Sequence, residues 1–514
     1  MLAIAKTASL YGIECVPVRV EGRIRAGKSS FQIIGLGDVA IREARERVSS
    51  AIRSLGYSLP DQILINLAPA EVKKEGSCFD LAIAVSILCA AGVVEKSRIE
   101  SVEFYGELGL DGTIKSVRGL LPLLSRSLDT QELLVPYENL REAQLASDEQ
   151  CIGVRTLREV LEYLSKGLAP NQDQGEEGSQ PEPLKSRITL SDIVGQQKAK
   201  EALTIAAAGG HNLLFVGPPG CGKSMIAERL PQILPPLSRS ERLEAVKVAS
   251  ICGEPLEMLL QGKAPFRSPH HTVSDVALTG GGLQLRPGEV SLAHRGVLFL
   301  DEFPEFRRTA LEALRAPLES GKVRVVRARG SVEYPASFQL VAAMNRCPCG
   351  RLGVPGTDCT CSRNELLRYL GKLSQPILDR IDLQVDCEAV PLSSVKDGYL
   401  SSVREPDSPC LETESVRERV ERARLLQLER QGCTNGTLSG SLLRKVITLG
   451  PEAEMLLNAL INKRDFSARR LVRILRVSRT LADLEQRKKI SDTDIGLAVS
   501  FMALSRIEQF AQGG

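Results

Sequence analysis

The sequence predicts an α/β protein with a parallel sheet, because three apolar runs each end in a short polar segment. These runs are Asn212–Val216 before a glycine-rich turn, Gly296–Leu300 before two carboxylates, and Ser337–Met344 before an amide. Strands buried in a parallel sheet read as continuous apolar runs, and ligands bind beyond their carboxyl ends. We therefore expect the three polar segments to converge at one edge of the sheet.

The turn after the first run fits the pattern Gly-x-x-x-x-Gly-Lys-Ser, and a helix-forming stretch, Met225–Leu230, follows it. Glycines let backbone N–H groups approach a phosphate chain, and a helix N-terminus attracts the same anion. Lys223 would neutralise the β- and γ-phosphates, and the Ser224 hydroxyl would bind Mg²⁺. The sequence thus predicts a site for ATP or GTP. The residues predicted to bind it are Gly217, Pro218, Pro219, Gly220, Cys221, Gly222, Lys223 and Ser224.

The second and third runs end in residues suited to hydrolysis of that nucleotide. Asp301 would hold Mg²⁺, and Glu302 would polarise the attacking water. Asn345, after the third run, would act as a sensor placed between these carboxylates and the γ-phosphate. An Asp-Glu pair at the end of a strand is often only a solvated strand end, but its position after a phosphate-binding turn favours catalysis.

Composition sets limits on the class of protein. The chain has 514 residues, a net charge of +3, and 43% hydrophobic and 25% charged residues. These values are typical of a multidomain globular protein, and affinity for nucleic acid would have to come from local basic patches. Since neither a long apolar run nor an export signal is found, we expect a cytoplasmic protein without membrane contact. Its 13 cysteines are then expected to be mostly reduced.

The chain is predicted to contain several domains. Residues 167–187 are polar, acidic and rich in Pro and Gly, which indicates a flexible linker after an N-terminal domain at 1–166. The alternating strands and helices of that domain predict an α+β or α/β fold. A nucleotide-binding core would span 188–390, a connecting segment 391–413, and an all-helical region 414–514. The C-terminal helices are predicted at Glu414–Arg430, Gly440–Lys445, Pro451–Asn462, Ala468–Arg487 and Thr493–Phe501.

Further motifs surround the three strands. They are Asp192–Gln196 before the glycine-rich turn, Phe266–His271, Gly280–Gly282, Arg286–Glu289 and Val290–His294 before the second strand, and Leu378–Leu383 after the third. Together these motifs resemble the magnesium-chelatase-like AAA+ ATPases of the ComM (YifB) family, over essentially the whole chain. The resemblance implies ATP as the nucleotide, a P-loop AAA+ core with a helical lid, and a Lon-protease-like α+β N-terminal domain. It also implies a hexameric ring and ATP-driven DNA branch migration in recombination and natural transformation.

The resemblance also assigns two arginines. Arg380 matches the arginine finger that reaches the nucleotide of the neighbouring subunit, where a cation would stabilise charge on the γ-phosphate. The alternative is a surface arginine paired with Asp379 or Asp382. Arg469 matches the second sensor on the lid, although the adjacent Arg470 competes for that role.

The N-terminal domain lacks the pair of residues that Lon-type proteolysis needs. By resemblance, Cys78 occupies the nucleophile position, with Ser77 one residue early, and Leu121 stands where the catalytic lysine belongs. Without a base neither the thiol nor the hydroxyl is activated. We therefore expect a structural or partner-binding domain that is not a protease.

Four cysteines form a candidate zinc site near the predicted sensor. Cys347, Cys349, Cys359 and Cys361 make two Cys-x-Cys pairs that could supply four thiolates. This spacing is tighter than the usual Cys-x₂-Cys, and free thiols in a loop are the alternative. His270 and His271 could also be ligands, but a polar turn facing the pore of the ring is the favoured interpretation.

Basic and apolar residues alternate in Lys322–Val332, with a glycine near the middle, as in a hairpin with one basic face. In the family this hairpin projects into the ring channel, and Arg327 and Arg329 are the predicted DNA contacts. Arg324 is out of phase with them. We expect an ATP-driven motor on single-stranded or branched DNA. A chelatase motor subunit and an ATP-dependent chaperone or protease component are the alternatives.

Overall fold

In a computed structural model of the chain, the described residues are 1–35, 39–70, 74, 76–124, 132–146, 151–170, 189–282, 285–327, 330–354, 356–389, 408–462 and 466–502. The chain divides into two compact units. The first contains Met1–Glu182, Ser238–Gly262 and Ala328–Tyr334, and the second contains Pro183–Leu237, Lys263–Arg327 and Pro335–Gly514. Residues 238–262 lie inside the core range 188–390 predicted from the sequence, and they group with the N-terminal segment in the first unit.

The first unit is built on a mixed sheet. Its strands are β1 Leu2–Tyr11, β2 Glu14–Arg25, β3 Ser30–Ile34, β4 Gln62–Ala68, β5 Val102–Phe104, β6 Glu107–Leu108, β7 Ile114–Lys115, β8 Glu132–Pro136 and β9 Cys151–Val154. Seven of them form one sheet in the order β3-β4-β2-β1-β5-β8-β9, and β6 pairs with β7. The β1–β2 and β2–β4 pairs are antiparallel, and the other pairs of the large sheet are parallel. The sequence left an α+β and an α/β fold open for this region, and the structure shows a mixed sheet that contains both parallel and antiparallel pairs.

Helices cover this sheet. They are Val39–Ser54, Asp80–Ala90, Lys96–Ile99, Leu120–Leu124, Leu140–Ala146, Leu157–Lys166, Arg239–Cys252 and Glu257–Leu260, with a 3₁₀ turn at Tyr137–Asn139. Every residue of Asp80–Ala90 is buried, which explains a sequence that is apolar on all sides. Leu157–Lys166 begins at Thr156, whose hydroxyl accepts the N–H of Glu159, and ends at Gly167 in the left-handed region.

The second unit contains the predicted parallel sheet. Its strands are β10 Leu213–Val216, β11 Phe266–Arg267, β12 Gly280–Gly281, β13 Arg286–Pro287, β14 Val297–Leu300, β15 Lys322–Arg327, β17 Gln339–Met344 and β18 Leu383–Asp386; between β15 and β17 the chain forms β16 Gly330–Pro335, which except for Pro335 belongs to the first unit. The main sheet runs β11-β14-β17-β10-β18, and all its pairs are parallel. Strands β12–β13 and β15–β16 form separate two-stranded sheets.

Register brings the ends of the central strands together. Val216 pairs with Met344 on one side and with Asp386 on the other, and Leu300 pairs with Ala342. All residues of β10, β14 and β17 are buried. The segments that follow these three strands therefore leave the sheet at one edge, as the sequence predicts.

Helices of the second unit flank the sheet and then form the C-terminal region. They are Gln197–Gly209, Lys223–Ala227, Leu230–Ile233, Asp275–Thr279, Glu289–Leu292, Arg308–Ala313, Arg315–Ser320, Arg363–Leu370, Gln375–Leu378, Ser408–Gln431, Gly440–Val446, Pro451–Ile461, Ala468–Leu484 and Asp492–Ser500, with 3₁₀ turns at Leu190–Asp192, Phe303–Glu305 and Asn435–Thr437. The first of the C-terminal helices begins at Ser408, whereas the sequence predicted its start at Glu414. No helix among the described residues is long and apolar enough to cross a membrane.

A buried carboxylate holds the C-terminal helices together. Both oxygens of Asp483 accept from the guanidinium of Arg430, at 2.6 and 2.8 Å, and Arg479 and Asn435 donate to it as well. Buried charges are stable only when they are paired in this way. The imidazole of His211, next to β10, contacts both Asp382 and Thr480 at 2.8 Å, so the sheet and the helix Ala468–Leu484 share a buried polar contact.

Candidate nucleotide site

The glycine-rich turn wraps around the side chain of Lys223. The ammonium donates to the carbonyl oxygens of Gly217 and Pro218, at 2.9 and 2.8 Å, and to Oδ1 of Asn345 at 3.2 Å. Gly222 has φ of 89°, a conformation that side-chain-bearing residues rarely adopt. The structure therefore brings the predicted cation and the predicted sensor amide into direct contact.

Ser224, the residue after Lys223, contacts the first residue of the carboxylate pair. The Ser224 hydroxyl donates to Oδ2 of Asp301 at 2.6 Å. Oxygen ligands from a hydroxyl and a carboxylate suit Mg²⁺, so these two residues could hold that ion beside bound phosphates. Glu302 follows with its side chain more than half exposed to solvent, as a residue that acts on water requires.

Four of the predicted site residues, Lys223, Asp301, Glu302 and Asn345, line one cavity of about 240 Å³. Its walls are Lys223, Asp301, Glu302, Glu305, Met344, Asn345, Pro348 and Tyr369. Tyr369 was not predicted from the sequence. Burial raises the pKa of its phenol, whose oxygen accepts the backbone N–H of Asn345. Its signal in the sequence is weak, since it is one aromatic residue in a helix distant along the chain.

Two further residues support the glycine-rich turn from outside. The side-chain amide of Gln196 donates to the carbonyl oxygens of Cys221, at 3.0 Å, and Glu388, at 2.7 Å. Its backbone has φ of 53°, in the left-handed region. A hydrogen bond with Cys387 and the charge of Lys223 lower the pKa of the Cys221 thiol to about 6. The turn is thus tied to the segments before β10 and after β18.

The four predicted zinc ligands come together. The sulfur atoms of Cys347, Cys349, Cys359 and Cys361 all lie within 4.8 Å of one another. The Cys347–Cys349, Cys349–Cys359 and Cys347–Cys359 sulfur distances are 3.4, 3.6 and 3.7 Å. Tetrahedral zinc with Zn–S bonds of about 2.3 Å requires sulfur atoms about 3.8 Å apart, so the donor set fits this ion. Backbone N–H groups, chiefly that of Arg351, lower the pKa of Cys349 to about 5, which favours the thiolate.

The cysteine cluster adjoins the nucleotide cavity. Pro348 lines that cavity, and a Cβ at Gly350 would lie 2.7 Å from Cγ of Pro219 in the glycine-rich turn. Arg346 donates to Asp386 at 2.8 Å and to the carbonyls of Leu352 and Gly353. The loop that carries the cysteines therefore packs directly against the turn that would bind phosphates.

The two predicted arginines lie elsewhere in the second unit. Arg380 donates to Glu319 at 2.7 Å and to the carbonyl of Pro376 at 2.6 Å, so its partner is neither Asp379 nor Asp382. Arg469 is 70% exposed and pairs with Asp379. Neither arginine lines the 240 Å³ cavity.

Arg473 was missed by sequence reasoning. Its guanidinium donates to the carbonyls of Leu378 and Ile381, on either side of Arg380, and approaches Asp379 to 3.7 Å. It lies one helical turn after Arg469, which is the signal that could have found it. Together, Arg469 and Arg473 fix the segment that presents Arg380.

The predicted DNA contacts are outside the described residues. This holds for Arg329 as a whole and for the side chain of Arg327. In the described part of β15 the exposed side chains are Lys322, Arg324 and Val326, whereas Val323 and Val325 are buried.

In the first unit, the positions compared with a protease lie in or near the core. Cys78 is buried, and Leu121 is fully buried, with its N–H donating to Glu142 at 2.9 Å. The Ser77 hydroxyl donates to the carboxylate of Glu107. The side chain of Leu121 therefore offers no base to either residue.

Comparison with known proteins agrees with the α/β fold. The family model described as "Magnesium chelatase, subunit ChlI" matches residues 189–395. The model described as "Subunit ChlI of Mg-chelatase" matches 20–139, and the one described as "Magnesium chelatase, subunit ChlI C-terminal" matches 411–502. The chain is 39% identical to the competence protein ComM of Haemophilus influenzae over 512 residues, covering 99% of each protein. It is 39% identical to YifB of Salmonella typhimurium over 508 residues, covering 98% of each.

A more distant likeness is to the magnesium-chelatase 67 kDa subunit of Chlorobaculum parvum, 25% identical over 331 residues, which are 62% of this chain and 44% of that protein. The chain belongs to the ComM (YifB) family of magnesium-chelatase-like AAA+ ATPases.

Proposed function

We propose that this protein is an ATP-hydrolysing motor that drives branch migration of DNA as a ring of identical subunits, with six as the proposed number. The observation that carries the proposal is the cavity in which Lys223, Asp301, Glu302 and Asn345 meet. Phosphoryl transfer needs four kinds of group, and these residues supply them: a cation for the phosphates, a carboxylate for Mg²⁺, a carboxylate for water and a sensing amide.

In this proposal Lys223 binds the phosphates, and Ser224 and Asp301 hold Mg²⁺, which supplies charge neutralisation on the phosphate oxygens. Glu302 orients and polarises water, and Asn345 positions the reacting group. Arg380 acts on the nucleotide of the neighbouring subunit, and Arg469 serves as the lid sensor. The contacts that support these roles are the Ser224–Asp301 and Lys223–Asn345 hydrogen bonds.

Zinc is the proposed structural ion of the cluster formed by Cys347, Cys349, Cys359 and Cys361. The proposal is supported by sulfur distances close to those of a tetrahedral thiolate site. Zinc there would hold the loop that packs on Pro219 and lines the cavity with Pro348. The zinc ion would therefore stabilise the shape of the nucleotide site.

DNA is the proposed partner because a relative that is matched over 99% of both chains is called a competence protein. We propose that Arg327 and Arg329, which the sequence predicts to lie on the basic face of a hairpin, contact the phosphates of DNA. We also propose that the first unit is a Lon-protease-like domain without protease activity, supported by the buried Leu121, and that the protein is cytoplasmic.

The decisive experiment measures ATP hydrolysis alone, with single-stranded DNA, with four-way-junction DNA and with unfolded protein. The proposal expects stimulation by DNA, most by the junction, and none by unfolded protein. Stimulation by unfolded protein alone would instead favour a chaperone. The likeness to a magnesium-chelatase subunit supports one further candidate, a chelatase motor, which would hydrolyse ATP without a response to any DNA.

A further inference from the structure

The large sheet of the first unit has one face covered by helices and another that is open in part. The helix Asp80–Ala90 packs against β1 and β2, and a Cβ at Gly22 in β2 would lie 2.8 Å from Oγ of Ser86 in that helix. The even-numbered residues of β2 from Val18 to Gly22 are buried on this side. Because successive side chains of a strand point to opposite faces, the odd-numbered residues of β2 lie on the face away from this helix.

Three arginines of β2 share that second face. Arg19, Arg23 and Arg25 are all exposed to solvent. None of their side chains has a hydrogen-bond or ion-pair partner among the residues that the structure describes. In a strand that rises about 3.4 Å per residue, they form a line of positive charge about 20 Å long. We call these three residues the arginine row.

The strands beside the arginine row add one cation and little negative charge. Lys6 of β1 pairs in register with Arg19. Glu21, which lies within the row, accepts a hydrogen bond from the side-chain amide of Asn66 at 2.9 Å. Glu103 of β5 pairs in register with Lys6 and is buried. This face therefore carries more positive charge than its carboxylates neutralise, although the whole chain has a net charge of only +3.

The other side chains of this face indicate which kind of anion it suits. Leu64 of β4 pairs in register with Arg23, and Gln32 and Ile34 of β3 are exposed beside it. No aromatic side chain lies on this face of β1 to β4. Sheets that read the bases of a nucleic acid stack them on aromatic side chains, whereas guanidinium groups bind phosphate oxygens in pairs. A line of arginines without aromatic neighbours therefore suits a chain of phosphates and not a set of bases.

We propose that the arginine row is a further contact surface for DNA, which binds the sugar-phosphate backbone without reading the bases. The inference rests on the proposed function, since DNA is the polyanion on which that function acts. It adds a contact on the N-terminal segment to those proposed for Arg327 and Arg329. Its chemical basis is charge complementarity between a row of unpaired guanidinium groups and a row of phosphates.

The test replaces the whole row. Arg19→Ala, Arg23→Ala and Arg25→Ala are combined in the full chain as the row variant, and binding of labelled oligo(dT) and oligo(dA) is followed by fluorescence anisotropy. Kd should rise about tenfold or more at low salt, by the same factor for both oligonucleotides, because the lost contacts are to phosphates. The slope of the logarithm of the binding constant against the logarithm of the salt concentration should become shallower by about two units.

Two further variants serve as controls. Lys96→Ala, Arg158→Ala and Lys166→Ala together remove three exposed cations from helices of the same unit and should leave Kd and the salt slope unchanged. Lysine at the three positions of the arginine row keeps the charge and should restore most of the affinity. A row variant that binds both oligonucleotides as tightly as the wild type would overturn the proposal, and so would a loss confined to one of them.

The same variants separate DNA from other anionic partners. If the row variant loses binding to polyglutamate or to vesicles that contain phosphatidylserine but keeps its DNA affinity, the face serves an acidic protein or a lipid surface, and the proposal is wrong. A wild-type protein that binds no DNA at any salt concentration would refute the proposed function itself. A wild-type protein that binds DNA with an affinity insensitive to the arginine row would refute only this inference.

Discussion

Lys223 shows how a single side chain connects two parts of the nucleotide site. Its ammonium reaches the carbonyls of Gly217 and Pro218 in the turn and the amide of Asn345 after β17. Bound phosphates would compete for the same ammonium. The Lys223–Asn345 contact therefore offers a direct route by which phosphate binding could change the position of Asn345, the proposed sensor.

The roles of Lys223 and Glu302 can be separated by two substitutions. Lys223→Ala should weaken ATP binding by about 2–5 kcal/mol, because the phosphates lose a buried charge partner. Glu302→Gln should bind ATP normally and hydrolyse it very slowly, since an amide does not accept a proton from water. Equilibrium titration with a fluorescent ATP analogue and a turnover assay check both results. Turnover by Glu302→Gln at the wild-type rate would mean that another residue acts on water.

For single residues, the sequence predicts which side chains meet when their spacing follows from local structure. Lys223 and Ser224 belong to one turn, and Asp301 and Asn345 each follow an apolar strand, so their convergence could be expected. Gln196, Tyr369 and Arg473 could not be found in this way. Their contacts come from segments distant along the chain, and no local pattern encodes which side chain reaches which carbonyl.

Among secondary-structure elements, the apolar strand β14 and the helix Pro451–Ile461 agree with the sequence within one residue at each end. Strand β14 is Val297–Leu300 within the predicted run Gly296–Leu300, and the helix was predicted at Pro451–Asn462. The helix predicted at Met225–Leu230 is instead two short helices, Lys223–Ala227 and Leu230–Ile233, the second with Pro231 in its first turn. Proline is tolerated there but not in a helix interior, so the residue separates the two helices.

The loop of the four cysteines gives a prediction about metal. We expect about one zinc per chain by elemental analysis, and Cys349→Ser should reduce it and raise KM for ATP, because the loop packs on Pro219. Cys433→Ser, outside the cluster, is the matched control and should keep both values. If the protein contains no zinc and still has normal thermal stability and ATP affinity, these four residues are free cysteines and do not form a zinc site.

The hairpin of β15 and β16 gives a prediction about DNA. Replacement of both Arg327 and Arg329 with Ala should weaken DNA binding and leave basal ATP hydrolysis unchanged. The slope of the logarithm of the binding constant against the logarithm of the salt concentration should become shallower by about one to two units. Lys488→Ala with Lys489→Ala removes the same charge from an exposed site on the C-terminal region and should change none of these values. Unchanged DNA binding in the arginine double variant would move the contact to another segment.

For the molecule as a whole, the net charge of +3 makes no strong general field, so attraction of DNA depends on where the basic residues lie. The sequence predicted a boundary near residue 167, but not that Ser238–Gly262 would join the N-terminal segment. That grouping arises from tertiary packing, for example the Ser250 hydroxyl, which donates to the buried Glu142. Composition alone does not reveal that a segment packs with a part of the chain that is distant in sequence.

Cooperation between subunits is tested through Arg380. Arg380→Ala should keep ATP affinity and lose turnover, because the arginine is proposed to act on the neighbouring nucleotide. Mixing this variant with Lys223→Ala should restore part of the activity at interfaces that join an intact turn to an intact arginine. Turnover across a series of mixing ratios is the measurement. No recovery in rings shown to contain both variants would argue that Arg380 acts only within its own subunit.

The central claim is that ATP hydrolysis moves a DNA junction. The most direct measurement follows a fluorescently labelled four-way junction with a homologous, mobile core. On addition of ATP the wild-type protein should convert it to two duplexes, while Glu302→Gln should bind the junction without converting it. A junction with a heterologous core should resist conversion. Wild-type protein that hydrolyses ATP in the presence of the mobile junction and leaves it intact would contradict the account.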